Sequence, residues 1–332
     1  MKTVTNNTFV PSNKALLSCL IIGAVAPITA SADNIDNIIS DFTAEASVYS
    51  DKNGIRINDR SVQYQHKNKK GIDWKLKAHD YDFKGETGTD TYHGNEILGA
   101  ITKEFNEYIT TELSVGAVYL ENQRTHSTDN FTSYKAKVTT RPNSKVSFSV
   151  EHGENLLFKE ALIEDESHRL LSGKTSKISG SWRAAKRVII EGSSQYRELS
   201  DGNRSKQHRA IALYGISPDT PWVWVGVEAQ SLSYDEKKSS YWSPEDYEAH
   251  ALVISSNFSI NKNLSVNING NINRTKEDNF DWASGSAITV GAKYDLGDNT
   301  SINTYASYLE SSRDNASWNG NKFGISFTVS DF

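Results

Sequence analysis

The chain has 332 residues, 37% hydrophobic and 23% charged, with 36 Lys and Arg against 41 Asp and Glu and a formal net charge of -5. A mean hydropathy of -0.56 and the lack of a long apolar run beyond Ala32 exclude transmembrane helices, and the acidic balance disfavours a nucleic-acid partner, which needs a concentrated basic face. Nor are there the continuous apolar strands or amphipathic helices of a soluble α/β enzyme.

The first segment, MKTVTNNTFVPSNKALLSCLIIGAVAPITASADN, reads as a signal peptide over residues 1–32. Lys2 and Lys14 supply the positive start, an apolar stretch runs from Ala15 to Ile28, and Ala30-Ser31-Ala32 is a small-x-small cleavage site. Leu16-Leu17-Ser18-Cys19 faintly resembles a lipobox, but the apolar run continues past Cys19, so Cys19 reads as part of the export signal. Residues 33–332 then form one domain without cysteine, which excludes thiol catalysis and Cys-ligated zinc. No cofactor or metal motif is expected.

From residue 41 onward the chain alternates polar and apolar residues in segments of about ten, the pattern of a strand with one lipid face and one water face. Segments are expected at 41–50, 54–66, 71–83, 91–104, 109–122, 130–141, 144–155 and 171–183, then 186–198, 206–216, 221–234, 246–260, 264–274, 284–295, 300–311 and 320–332. The clearest is Leu264, Val266, Ile268, Gly270 and Ile272 alternating with Ser265, Asn267, Asn269, Asn271 and Asn273. Short turns such as Phe105-Asn106-Glu107 and DLGDN alternate with longer polar links such as ENQRTHSTD, DEKKSSYWSPE, TKEDNFDWA and SSRDNAS. An up-and-down barrel imposes that order, with long loops outside and short turns in the periplasm, whereas a soluble all-β sandwich does not. The last segment, NKFGISFTVSDF, ends on Phe332, as bacterial outer-membrane barrels do; Phe332 is out of phase with Phe323, Ile325, Phe327 and Val329, and a bulge near Ser330-Asp331 would restore the phase. The fold expected is all-β, a transmembrane antiparallel up-and-down barrel of about 16 strands in the bacterial outer membrane, with outer-membrane lipid as a partner.

The inner wall of such a barrel would carry Arg56, Asn58, Asp73, Lys75, Lys77, Glu112, Lys135, Lys137, Lys177, Arg183, Glu191, Gln195, Glu228, Gln230 and the four asparagines from Asn267 onward. In TPWVWVGVEAQ, Trp222 and Trp224 share the face of Glu228 and Gln230, so they point into the lumen or, at a strand end, belong to an outward interfacial girdle. In YWSPEDYEAH, Pro244 cannot donate to a ladder and fixes where the next strand starts. Tyr241 and Trp242 would then fold over the mouth beside Tyr247, and Glu248 and His250 would share the inward face.

The heptapeptide Tyr241-Trp242-Ser243-Pro244-Glu245-Asp246-Tyr247 resembles an aromatic-aromatic-Ser-Pro-x-x-Tyr signature of exopolysaccharide-export barrels. These include the C-terminal barrels of the cellulose and poly-N-acetylglucosamine exporters, and small YaiO-type outer-membrane proteins look similar. The resemblance implies polysaccharide export through a polar lumen, with polysaccharide as partner. It also implies a separate periplasmic scaffold, because the larger exporters carry an N-terminal helical repeat region not seen here, or else an accessory, YaiO-type role.

Two other readings stay open. A general diffusion porin would constrict its lumen with an inward loop, and LLFKEALIEDESHRLL, with Glu160, Glu164, Asp165 and Glu166, is the longest connection. A barrel enzyme acting on envelope lipid would use a rim histidine such as His79, His93, His126 or His168, but no GxSxG or HExxH occurs and no catalytic residue is assigned.

Overall fold

This computed structural model describes residues 40–52, 54–67, 72–84, 91–157, 170–217, 222–239, 241–313 and 316–330. The strands are β1 (Ser40–Asp51), β2 (Arg56–His66), β3 (Ile72–Lys84), β4 (Thr91–Asn106), β5 (Ile109–Asn122), β6 (Thr128–Asn143), β7 (Val146–Leu156) and β8 (Ser172–Ala185). They continue with β9 (Val188–Leu199), β10 (Arg204–Ser217), β11 (Trp222–Tyr234), β12 (Tyr247–Ser259), β13 (Leu264–Glu277), β14 (Ala283–Gly297), β15 (Thr300–Arg313) and β16 (Ala316–Ser330). Each pairs antiparallel with its neighbours in sequence, and β1 closes the barrel on β16 from Asp41↔Ser330 to Asp51↔Gly320. Closure leaves no sheet edge, so every strand satisfies its backbone on both sides, as a bilayer requires.

Alternation sets the two faces. Ile97, Leu113, Ile178, Leu252 and Ile272 lie exposed on the outer surface, while their sequence neighbours Glu96, Ser114, Val253 and Asn271 are buried inside. Tyr214, Tyr294 and Trp182 flank this outer apolar belt toward the short-turn end, and Tyr119, Tyr134 and Trp282 flank it toward the long-loop end. Phe323, Ile325 and Phe327 lie on the same outer face; Asp331 and Phe332 fall outside the described residues, as do the segment read as a signal peptide and His168.

Two expectations about faces and links are corrected by this arrangement. On β2 the apolar Ile57 packs inward against the mouth cluster, which leaves Arg56 and Asn58 on the outer face with Arg60 and Val62. The SSRDNAS stretch is not a long link: β15 and β16 extend into it and pair as far as Arg313↔Ala316.

Candidate functional site in the lumen and at its mouth

One sector of the inner wall is a ladder of compensating charges. Glu112, Lys137, Glu151, Lys177 and Gln195 are successive cross-strand partners from β5 to β9. Opposite charges directly across a strand pair stabilise the sheet and keep either sign from being stranded. Lys135 adds a contact to Glu112 at 2.7 Å. A polar hollow of about 440 Å³ opens along this wall, lined by residues that include Lys75, Lys77, Glu112, Lys135 and Lys177.

The sector from β13 to β16 carries mainly amides and hydroxyls. Asn267, Asn269, Asn271 and Asn273 face inward as the alternation indicates, because Ile272 on the same strand is exposed outside and Asn271 is buried. Ser255 donates to Asn269 at 2.6 Å, Asn273 donates to Asn271 at 2.9 Å, and Thr289 bonds Ser307 at 2.9 Å. Such a surface offers neutral donors and acceptors at regular spacing.

Between them lies an apolar inner patch that the alternation did not single out. Ile189, Ile211, Leu213, Trp224, Ala251 and Val253 form one buried cluster on β9 to β12. RAIALYGI and EAHALVIS are apolar on both faces, as are the shorter runs VII at 188–190 and WVWVGV at 222–227, and these are its traces in the chain. Trp224 therefore points inward and not into a girdle, and it is packed, with 6% exposure. Trp222 opens β11, and its side chain lies outside the described set. Above the patch, Glu228 accepts a bidentate contact from Arg209, Nε at 2.7 Å and Nη2 at 2.9 Å, so it faces the lumen already paired.

The YWSPEDY stretch is a staple at the mouth. Tyr241 donates to Asp201 at 3.0 Å and accepts from the Asn203 amide at 2.8 Å, tying it to the β9–β10 turn. Burial, opposed by the Asn203 contact and reinforced by the Asp201 carboxylate, holds the Tyr241 phenol well above its usual range. Trp242 donates from its indole to Glu277 at 2.9 Å and stacks edge-on against Tyr247 at 5.2 Å. The Pro244 carbonyl accepts from the Tyr234 amide at 2.9 Å, closing the strand end where proline cannot donate. Asp278, in the left-handed region at φ 48°, accepts from the Asp246 amide at 3.0 Å and pairs with Lys237.

This staple joins a larger closure. Tyr241, Tyr247 and Trp242 pack with Leu157, Leu171, Leu199, Leu232 and Tyr234. From the other side of the same connection, Leu170 packs against the cluster of Tyr49, Phe83, Tyr92 and Trp318 and against that of Tyr81, Val118 and Leu120. The described ends of the β7–β8 connection thus turn inward across the mouth; its acidic residues Glu160, Glu164, Asp165 and Glu166 fall outside the described set.

Contrary to the expectation from sequence, Glu248 and His250 do not share the inward face. On β12, Leu252 and Ile254 are exposed outside at 58% and 43%, and Tyr247, Ala249, Ala251 and Val253 are buried inside. Period-two geometry then puts Glu248 and His250 on the outer surface, where His250 lies 5.5 Å from the Trp282 ring. The inner face of β12 is apolar because it completes the buried patch. The candidate residues therefore divide among three places: Trp224 and Glu228 on the inner wall, Tyr241, Trp242 and Tyr247 at the mouth, Glu248 and His250 outside.

The histidines also separate. His79 faces inward, 3.3 Å from Asp59 and stacked on Tyr81, whose hydroxyl donates to Glu96. His93 sits outside, its ring nitrogens 3.0 Å from Asp82 and 3.7 Å from Asp80, two carboxylates that also hold Arg60. His126 lies in the β5–β6 turn beside Glu121. His152 meets Ser176 at 2.9 Å on the outer face, with no carboxylate in contact among the described residues to orient its ring. Nucleophilic catalysis by serine uses a base that a third group orients.

No family model and no curated protein matches the chain. Solved structures do share its fold. A bacterial polysaccharide outer membrane secretin superposes with a TM-score of 0.73 at 9% identity, over 89% of this chain and 99% of that one. CdiB from Acinetobacter baumannii gives 0.54 at 10% identity over 86% of this chain and 60% of its own. OccK3 (OpdO) of Pseudomonas aeruginosa gives 0.50 at 8% identity over 89% and 96%. The protein is a closed sixteen-strand β-barrel of the outer-membrane type and resides in the bacterial outer membrane.

Proposed function

We propose that this barrel serves polysaccharide secretion, passing or guiding a hydroxyl-rich polymer along its amide- and hydroxyl-lined wall. The observation that carries this reading is the inner sector from β13 to β16, where neutral donors and acceptors repeat along the channel axis. Repetition suits a repeating polymer, because each sugar unit meets equivalent groups as it advances. The whole-barrel likeness to the polysaccharide secretin and the YWSPEDY staple support it. Tyr241, Trp242 and Tyr247 act by shaping the mouth, and the cargo wall is the asparagine ladder with the polar hollow beside it. A separate periplasmic protein would hand over the polymer.

The general porin reading is favoured by the charge ladder from Glu112 to Lys177. Single-channel conductance of the refolded chain in planar bilayers, with neutral and charged oligosaccharides added, separates the two. Block by neutral oligosaccharides that weakens in Asn269→Ala and Asn271→Ala supports secretion. A current modulated only by ionic solutes supports a porin, and a barrel silent even after its mouth is loosened points to an accessory role.

A further inference from the structure

The outer surface is not uniformly convex. Two contiguous hollows of about 970 and 900 Å³ lie along β9 to β14 and share Ala212, Val227, Leu252 and Ile272. Small outward residues at adjoining register positions form much of the floor: Ala210 beside Ala229, Ala212 beside Val227, and Ser284 and Ser286 on β14 across from Arg274 and Ile272. Larger side chains, Ile190, Tyr214, Ile254 and Ile288, stand around it. The opposite wall carries large outward side chains, among them Leu76, Ile97, Ile101, Leu113 and Val115.

The furrow has a chemical polarity. At its long-loop end it is lined by His250, Arg274 and the Trp282 ring; His250 and Arg274 are direct cross-strand partners. One register step further out, Lys276 faces Glu248, and on β10 the outward positions are Arg204, Lys206 and His208. Its other end is uncharged, lined by Val188, Tyr214 and Ile268. An apolar trough whose outer end is cationic and aromatic matches a lipid lying with its chains along the wall and an anionic headgroup at the rim.

We propose that this furrow binds a phosphorylated acyl lipid of the outer leaflet, lipid A, with its phosphate at Arg274 and His250 and an acyl chain over Ala212 and Ala229. A second copy of the barrel is the other possible occupant of an apolar trough, but two copies related by a two-fold axis would bring the same cationic rims together. At the rim Lys276 faces Glu248 and Arg204 faces Glu198, whereas Arg274 has His250 and Ser284 as its cross-strand partners and no carboxylate directly across; this uncompensated guanidinium selects the lipid.

Native mass spectrometry of the full chain, extracted in mild detergent and then titrated with lipid A, tests this. Arg274→Ala/Lys276→Ala and, separately, Ala212→Phe/Ala229→Phe should each reduce the lipid A adduct by roughly tenfold or more. Dephosphorylated lipid A should bind the unaltered chain as weakly as lipid A binds the first variant. Heat-modifiable gel mobility shows that each variant is folded, and Ile97→Ala on the opposite wall should leave the adduct unchanged. Equal adducts in all variants, equal binding of the dephosphorylated lipid, or a barrel dimer that dissociates on filling the furrow would overturn the proposal.

Discussion

Arg209 and Glu228 meet as a bidentate pair on the inner wall, with the Glu228 side chain 2% exposed and that of Arg209 28% exposed. Each group satisfies the other before any cargo arrives. Removing Glu228 leaves Arg209 with only the weaker influence of Glu191 to compensate it, so Glu228→Ala should lower stability by roughly 3 kcal/mol. The urea midpoint of the folded, heat-modifiable form measures it. Arg209→Met/Glu228→Leu should recover most of the loss, and an unchanged midpoint in the single variant would mean the pair is dispensable.

Gly215 is the cross-strand partner of Trp224, and a Cβ placed on it would sit 3.2 Å from the indole ring. The glycine makes room for the tryptophan to lie flat on the inner patch. Gly215→Val should cost about 1–3 kcal/mol through overpacking. Combining it with Trp224→Ala should relieve the clash, and intrinsic fluorescence of the single variant should shift as the indole is displaced. A spectrum and midpoint like those of the parent would show that the ring is not held there.

Loss of the Tyr241 hydroxyl should loosen the mouth without touching the channel wall. Tyr241→Phe leaves Asn203 and Asp201 short of a partner, at a cost of about 1 kcal/mol. Faster proteolysis of the β11–β12 connection on whole cells is the expected result. Sugar block of the current should stay as in the parent; a weakened block would return Tyr241 to the cargo path.

The same loop should respond to acid. The partial burial of Asp278 is outweighed by Lys237 and the Asp246 amide, which hold its carboxyl below its ordinary value of 3.8. A depressed carboxylate stabilises the clamp fully above that ordinary value, and the contribution is lost as the pH falls through the lower one. Proteolysis of the loop should therefore accelerate below about pH 3.8. Asp278→Asn should be loosened already at neutral pH and show less of this acid response.

Closure of the mouth by leucines predicts a small current that rises when they are removed. Leu170→Ser and Leu157→Ser take apolar anchors from clusters on two sides of the opening. Each should increase single-channel conductance while leaving the barrel folded. An unaltered current in both would place the constriction elsewhere.

The architecture was legible in the chain. A lipid face and a water face impose a period of two, so Leu264, Val266, Ile268 and Ile272 set against Ser265, Asn267, Asn269 and Asn271 announce a wall strand without any knowledge of its partners. The alternation of short turns and long links adds the order of strands, and with it closure of β1 on β16.

Packing across the closed barrel resolved what alternation leaves ambiguous. Where both faces of a strand are apolar, as in EAHALVIS, period two does not say which face is lipid, and only the packing of Ala251 and Val253 beside Trp224 put Glu248 and His250 outside. Where a strand end is polar on both faces, as in RINDR, the phase followed Ile57 into the mouth cluster and turned Arg56 and Asn58 outward. Pairings such as Arg209 with Glu228, or Tyr241 with Asp201, join residues on different strands and loops. Such contacts depend on register and loop path, which arise from the energy of the closed barrel as a whole and leave no local periodic trace in the chain.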